Sequence, residues 1–364
     1  MVKRSDLTAI ELDFMNAAWD PERWPAACDT VAQAIGARGA VILPMRGTAP
    51  VYAFSSCLTP QAELYFQGGW YQRDDRTKLV PKLMSQGVAV ESDYITEAEM
   101  DRSAYHQDFL AKVGLRYFVG LRLNAGDDVW CLAVQRTPLQ GPVTKVEELR
   151  VRRWMNRLSA AATLSVQLSG IKAATMSNLL DKIGKAAILL DRTGRVVGAN
   201  SLAEACFSPE FRIQRGHLYF QNPETSQTVS TALRTMNLPA PILRTFGPMR
   251  VDRGERSALS CLFLCLDGQD LSPFAKARII VLIDDLKMRP TVPSSVLAGL
   301  FGLTPAEARL GEALSDGTAL KPAAELLNVT HETARTQLKS LFAKTDVSRQ
   351  SELVALVSRL TRIR

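Results

Sequence analysis

Histidine is scarce in this 364-residue chain, with three residues at positions 106, 217 and 331. Six cysteines stand singly at 28, 57, 131, 206, 261 and 265, and none forms a Cys-x-x-Cys pair. A zinc site of ordinary ligand spacing is therefore not expected, and no metal or other cofactor is. Most of these cysteines sit in apolar runs, where the thiol reads as a small buried hydrophobe. Redox sensing is the alternative reading. No window approaches the roughly 18 consecutive apolar residues of a membrane span. The opening "MVKRSDLTAIELDF" places acids directly after its basic start and offers no apolar signal-peptide core. A cytoplasmic protein with no membrane association is expected. There is no Gly-rich phosphate loop, no HExxH and no GxSxG, so an enzyme is not expected. Internal repeats and low-complexity segments are missing too.

What is present is ordinary globular material: 46% hydrophobic and 22% charged residues. The length exceeds one core, so two or three domains are expected. Lys and Arg outnumber Asp and Glu by 44 to 37, a net charge of +7. That balance is compatible with a polyanionic partner.

Along the chain, residues 5–36 read as two helices. "GAVILPM" and "PVYAFSS" read as strands, and "TPQAELYFQ" as a helix capped by Thr59 with Pro60 at its first position. "VAVESDYIT" is a strand candidate. "RSAYHQDFLAKVG" reads as a helix stopped by Gly114. "RYFVGLRL" and "VWCLAVQR" flank "NAGDD", a hairpin signal. A long helix follows from about Thr144 to Ser169, with Val151, Trp154, Leu158, Ala161 and Leu164 on its apolar side.

A second unit opens with strand, turn and strand in "KAAILLDRTGRVVGAN", where Gly194 can take positive φ. "APILRTF", "SALSCLFLCL" and "ARIIVLIDDL" supply further strands. The Pro-containing "KMRPTVPSS" reads as a linker, and the rest is helical.

The expected fold is therefore α+β and multidomain. An α/β sandwich spans 1–170 and an antiparallel sheet domain 171–286. A linker at 287–296 leads to an all-α unit of four helices at 297–364.

In that last unit, Thr304-Pro305-Ala306-Glu307 fits a capping box. Gly317 ends the first helix, Pro322 falls in the first turn of the second, and Asn328 suits a left-handed exit. Thr330 caps the third helix and Ser348 the fourth. Helix, tight turn, helix is the helix-turn-helix arrangement. On a wheel, Ala334, Leu338, Leu341 and Phe342 of the third helix share an arc of about 100°, the width of a core-facing stripe. The outer arc carries Glu332, Thr333, Thr336, Lys339, Ser340 and Ala343, flanked by Arg335, Gln337 and Lys344. Hydroxyls, cations and an amide suit phosphate oxygens and base edges.

"LTPAEARLGEAL" and "PAAELLNVTHETARTQLKSLFAKTDVSRQSELVALV" resemble the LuxR-type DNA-binding domain of bacterial transcription regulators. The resemblance implies a third helix in the major groove of double-stranded DNA and a fourth at a dimer contact. Thr330, Thr333, Arg335, Thr336, Gln337, Lys339, Ser340 and Lys344 would form the DNA-facing set. Leu353, Leu356, Val357 and Leu360 would line the dimer helix. Two such domains about 34 Å apart read a two-fold operator, so a homodimer is implied. Glu332 and Pro322 depart from the family's usual residues.

"AAILLDRTGRVVGANSLAEACF" resembles the opening of a PAS domain, one without the surroundings of a flavin-adduct cysteine at Cys206. "GGWYQRDDR" and "YHQDFLAKVGL", with the element order, resemble a GAF-like sensory domain. Trp70 is followed directly by Tyr71, and "RDDR" has no proline after its Asp. Both depart from the acyl-homoserine-lactone pattern and argue against that ligand. If the first domain holds a small-molecule effector, its wall should be aromatic with a few polar anchors. Tyr52, Phe66, Trp70, Tyr71 and Trp130 are wall candidates, with Tyr117 or Phe118. Arg73, Asp74 and Arg76 are anchor candidates. Strand alternation puts Tyr117 and Phe118 on opposite faces, so one at most lines the pocket. The competing expectation is a regulator whose upstream domains bind a protein partner or sense redox state.

Overall fold

The change from helical to alternating apolar spacing at residue 39 marks the first sheet. A computed structural model describes residues 4–45, 53–237, 243–266, 272–287, 292–315 and 317–361. Helices α1 (Arg4–Trp19) and α2 (Trp24–Ala34) precede strands β1 (Gly39–Pro44) and β2 (Ala53–Phe54). Then come α3 (Thr59–Gln67), α4 (Val80–Gln86), β3 (Val88–Val90) and α5 (Glu97–Arg102). The hairpin β4 (Tyr117–Ala125) and β5 (Asp128–Arg136) turns at Gly126, whose φ is 61°. These strands form one antiparallel sheet in the order β2-β1-β5-β4-β3. Trp130, Leu132 and Val134 of β5 face a core shared with α1, α2 and the following helix, while Cys131 and Ala133 face the other side. The period of two along a strand dictates this sorting.

Two local expectations are corrected here. Thr59 is the first residue of α3 rather than its cap, because its hydroxyl donates to the Ser56 carbonyl at 2.9 Å. The helix expected over 102–114 is a π-helical turn at Tyr105–Leu110, separated from α5, which ends at Arg102. The wider turn brings Tyr105, His106, Phe109 and Leu110 inward together.

Helix α6 (Lys145–Lys182) runs on well past Ser169, so residue 170 lies within a continuous helix. Its first half buries Val151, Trp154 and Leu158 in the first core. Its second half lays Ala173, Met176 and Leu180 on the second sheet.

That sheet joins β6 (Ala186–Leu190), β7 (Val196–Ala199), β10 (Thr245–Arg253), β11 (Arg256–Cys265) and β12 (Ile279–Asp285). It is antiparallel, in the order β10-β11-β12-β6-β7. Gly194 takes a φ of 80° in the β6–β7 turn. Helix α7 (Ser201–Ala205) leads to the hairpin β8 (Phe211–Gln214) and β9 (His217–Phe220), then to α8 (Pro223–Met236). The strand expected over 240–246 lies partly outside the described residues.

The two units are joined by side chains as well as by α6. Phe274 lies in the first core, edge-on to Trp24 and Trp130 with ring centroids 5.1 and 5.0 Å away. The hydroxyls of Ser165 and Ser272 meet at 2.6 Å, and Arg192 pairs with Asp128 at 3.1 Å.

The C-terminal region is helical: α9 (Ser294–Phe301), α10 (Pro305–Ser315), α11 (Leu320–Leu326), α12 (His331–Thr345) and α13 (Gln350–Thr361). Helix α9 begins inside the stretch expected to be linker. The region carries its own core around Leu310, Leu314, Ala323 and Leu341. The molecule is thus a mixed α+β chain with antiparallel sheets and a helical C-terminal region.

Candidate functional site

A cavity of about 380 Å³ opens on the face of the first sheet away from α1, α2 and α6. Its floor is β1 and β5 through Val41, Leu43, Cys131 and Ala133, with Phe118 from β4. Helix α3 supplies Gln61, Tyr65 and Phe66, and the π-helical turn supplies Tyr105 and Phe109. The volume falls within the usual range for small-molecule sites.

Of the expected wall residues, Phe66 and Tyr71 line the cavity. Trp70 does not. It stacks on Phe109 at 5.6 Å between centroids, and the Arg73 guanidinium lies over its ring at 4.8 Å. Trp130 faces the opposite side of the sheet, one position out of phase with Cys131, and packs on Phe274. Tyr117 is also off the cavity, its hydroxyl donating to Glu97 Oε1 at 3.1 Å, while Phe118 takes the lining position. Tyr52 lies outside the described residues.

Asp74 and Arg76 both line the cavity, in different states. Asp74 Oδ1 accepts the Arg76 backbone N–H at 2.8 Å, and Oδ2 accepts the Tyr65 hydroxyl at 2.8 Å. Burial pushes its carboxyl above the usual aspartate value, against the opposing pull of Arg76 and these hydrogen bonds. The Arg76 guanidinium is buried and occupied. It donates to Glu91 through Nε at 2.8 Å and Nη2 at 3.1 Å, to Gln135 Oε1 at 2.7 Å, and to the Arg116 carbonyl at 3.1 Å. Burial opposes the Glu91 charge too, yet Arg76 and His106 hold that carboxylate below its usual range. His106 Nε2 lies 3.1 Å from Glu91 and Nδ1 lies 3.0 Å from the Ser103 hydroxyl. Arg76 is thus the centre of a buried polar cluster under the cavity rather than a free anchor.

Sequence reasoning missed Tyr65, Tyr105, Phe109, Gln135 and Glu91. The four-residue step from Tyr105 to Phe109 was the available signal for two of them. Glu91 gave none, because its Arg76 partner is fifteen residues away.

The second candidate surface is α12. Asn328 leaves α11 with a φ of 53°, as left-handed helix exits require, and Thr330 Oγ1 accepts the Thr333 N–H at 3.1 Å to cap α12. Ala334 and Leu341 are buried against the other helices. Thr330, Thr333, Arg335, Thr336 and Lys339 are exposed, and Gln337 is half-buried. The Thr330 and Thr333 hydroxyls lie 2.8 Å apart, and Thr336 donates to the Glu332 carbonyl at 3.1 Å. Ser340 is half-buried and Lys344 exposed, and both reach toward α10. Both bind Glu307 of α10, at 2.6 and 2.7 Å, so they latch α12 to α10. The lysine and hydroxyl partners hold the Glu307 carboxyl down to about 2. On α13, Leu353 and Val357 are buried in the region's own core, which removes two of the four residues expected at a dimer contact.

No family model matches the chain. No curated protein matches either. Nineteen chains of solved structures match. One is the crystal structure of the E. coli DhaR(N)-DhaL complex, 11% identical, covering 76% of this chain and 86% of that one, with a TM-score of 0.25. A likeness of that size carries no argument about fold or function.

Among the described residues, no group of three His, Cys, Asp or Glu could hold a metal ion, and no helix is long and apolar enough to cross a membrane. What remains is a cavity able to enclose a small, mostly apolar molecule, and a helix offering cations and hydroxyls to solvent.

Proposed function

We propose that the chain is a dimeric, LuxR-type DNA-binding regulator of transcription, with a small-molecule effector held in the cavity of a GAF-like first unit. The middle unit is read as PAS-like. The observation that carries the DNA reading is the outer face of α12. Arg335 and Lys339, four residues apart, are exposed there, and neither makes a hydrogen bond or ion pair among the described residues. Long cations on such a face suit phosphate and guanine. The turn before it, with Asn328 left-handed and Thr330 as cap, is of the short kind that a helix-turn-helix uses, which supports this reading.

Titration of full-length protein into fluorescent duplex DNA at several salt concentrations tests this. Affinity should fall with salt, with a logarithmic slope near −0.9 per phosphate neutralised. Arg335→Ala combined with Lys339→Ala should flatten that slope by about two contacts. A slope near zero, or one the double variant leaves unchanged, refutes the assignment.

Redox sensing by thiolates finds less support. Burial pushes the Cys131 and Cys261 thiols up to about 12 and raises those of Cys28, Cys206 and Cys265. A protein partner for the first unit is favoured by one feature. Leu12, Met15 and Trp19 share a face of α1 at helical spacing, and Trp19 is 72% exposed.

A further inference from the structure

Among the described residues, the cavity's lining contains one acid, Asp74, and one base, Arg76. The base is taken: four of its N–H groups go to Glu91, Gln135 and the Arg116 carbonyl, and Glu91 is fully buried beside it. An incoming carboxylate or phosphate would have to compete with that buried carboxylate for the guanidinium. Asp74 is differently placed. Oδ1 accepts the Arg76 N–H, Oδ2 accepts the Tyr65 hydroxyl, and the Tyr105 hydroxyl is a further donor to the carboxyl; a carboxylate offers about four lone-pair sites, which leaves one for a ligand. Burial withdraws it from water, and the cation beside it, Arg76, is already committed to Glu91.

The surrounding wall is aromatic. Tyr65, Phe66, Tyr71, Tyr105, Phe109 and Phe118 all line the same space. Ring faces carry negative quadrupole density, which attracts an ammonium and repels an anion. Acid, rings and an occupied arginine therefore select one charge.

We propose that the cavity takes a mostly apolar ligand bearing an ammonium group, held by the Asp74 carboxylate within the aromatic cage. This rests on the effector-cavity reading above. It adds the charge and shape of the effector: a cationic amine on a hydrocarbon body of modest size.

The test uses full-length protein and three probes of nearly equal shape: 2-phenylethylamine, 2-phenylethanol and 3-phenylpropionate. Binding is read by calorimetry. The amine should bind about tenfold or more tighter than the alcohol, the value of a charge-assisted contact, and the carboxylate should bind weakest. Asp74→Asn should bring the amine down to the alcohol's affinity and leave the alcohol unchanged. If the variant does not fold, the ranking on the unaltered protein decides alone. A carboxylate or alcohol that binds as well as the amine overturns the ligand class and leaves the cavity reading standing. An amine preference that survives Asp74→Asn overturns the role of Asp74. Failure of all three to bind overturns the cavity reading itself, and the ligand class with it.

Discussion

Replacing Glu91 by Gln isolates the energetic centre of the first unit. Glu91 is fully buried, and Arg76 is 7% exposed. The substitution keeps the shape and removes the charge that balances the guanidinium. Two of the four Arg76 hydrogen bonds, those to Gln135 and the Arg116 carbonyl, persist. Breaking a buried pair from one side costs about 3–5 kcal/mol. With half the hydrogen bonds retained, the loss should sit near the lower end, about 3 kcal/mol, a large share of a typical domain's stability. All five tryptophans, at 19, 24, 70, 130 and 154, lie in the first unit. Urea unfolding followed by tryptophan fluorescence therefore reports this unit and not the other two. The companion variant, Arg76→Met with Glu91→Met, removes both charges of the pair and should recover part of the loss, because neither member of the pair is left facing an empty place, although Asp74 loses the pull of Arg76. A Glu91→Gln protein within 1 kcal/mol of the original, or a double variant no better than the single one, refutes the reasoning.

Phe274→Ala should cost about 3–5 kcal/mol in the same fluorescence transition, although Phe274 belongs to the second unit's chain segment. Its ring contacts with Trp24 and Trp130 predict a changed emission maximum in the folded state. Glu307→Gln should loosen the α10–α12 latch. The Glu307 carboxyl falls from the usual 4.5 to about 2 in the folded protein. Its contribution is therefore present above the unfolded value and is lost as pH falls through the folded one. The difference in melting temperature between Glu307→Gln and the original protein should be constant near neutrality and close between about pH 4.5 and 2. A gap that persists at the acid end would contradict the latch.

Elements with a local cause were the legible ones. The β4–β5 hairpin is written in its alternation around Gly126, and the α11–α12 turn in Asn328 and Thr330. The wheel of α12 sorted Ala334 and Leu341 inward. It did not show that Ser340 and Lys344 bind Glu307, because that partner is 33 and 37 residues away and no periodicity records it. The cavity shows the same division. Asp74 and Phe66 were found through their neighbourhood in sequence. Trp130 was misplaced because strand phase was applied to Tyr117 and Phe118 and not carried across to β5. The length of α6 was underread because its second half packs on a different sheet, which resets the apolar stripe. The β8–β9 hairpin was missed because its strands are four residues each, too short for alternation to speak.

Helix α6 belongs to two cores at once, and that makes its residue count a matter of phase. It is about 57 Å long at 1.5 Å per residue. One residue inserted between its two buried stretches would turn the second sheet about 100° around the helix relative to the first. Seven inserted residues would bring it back to within about 20°, while carrying it some 10 Å farther along the axis. In both cases Phe274 could no longer reach Trp24 and Trp130 without breaking its own strand register. The length of this helix is thus set as tightly as any buried side chain, although most of its second half touches only water on one side.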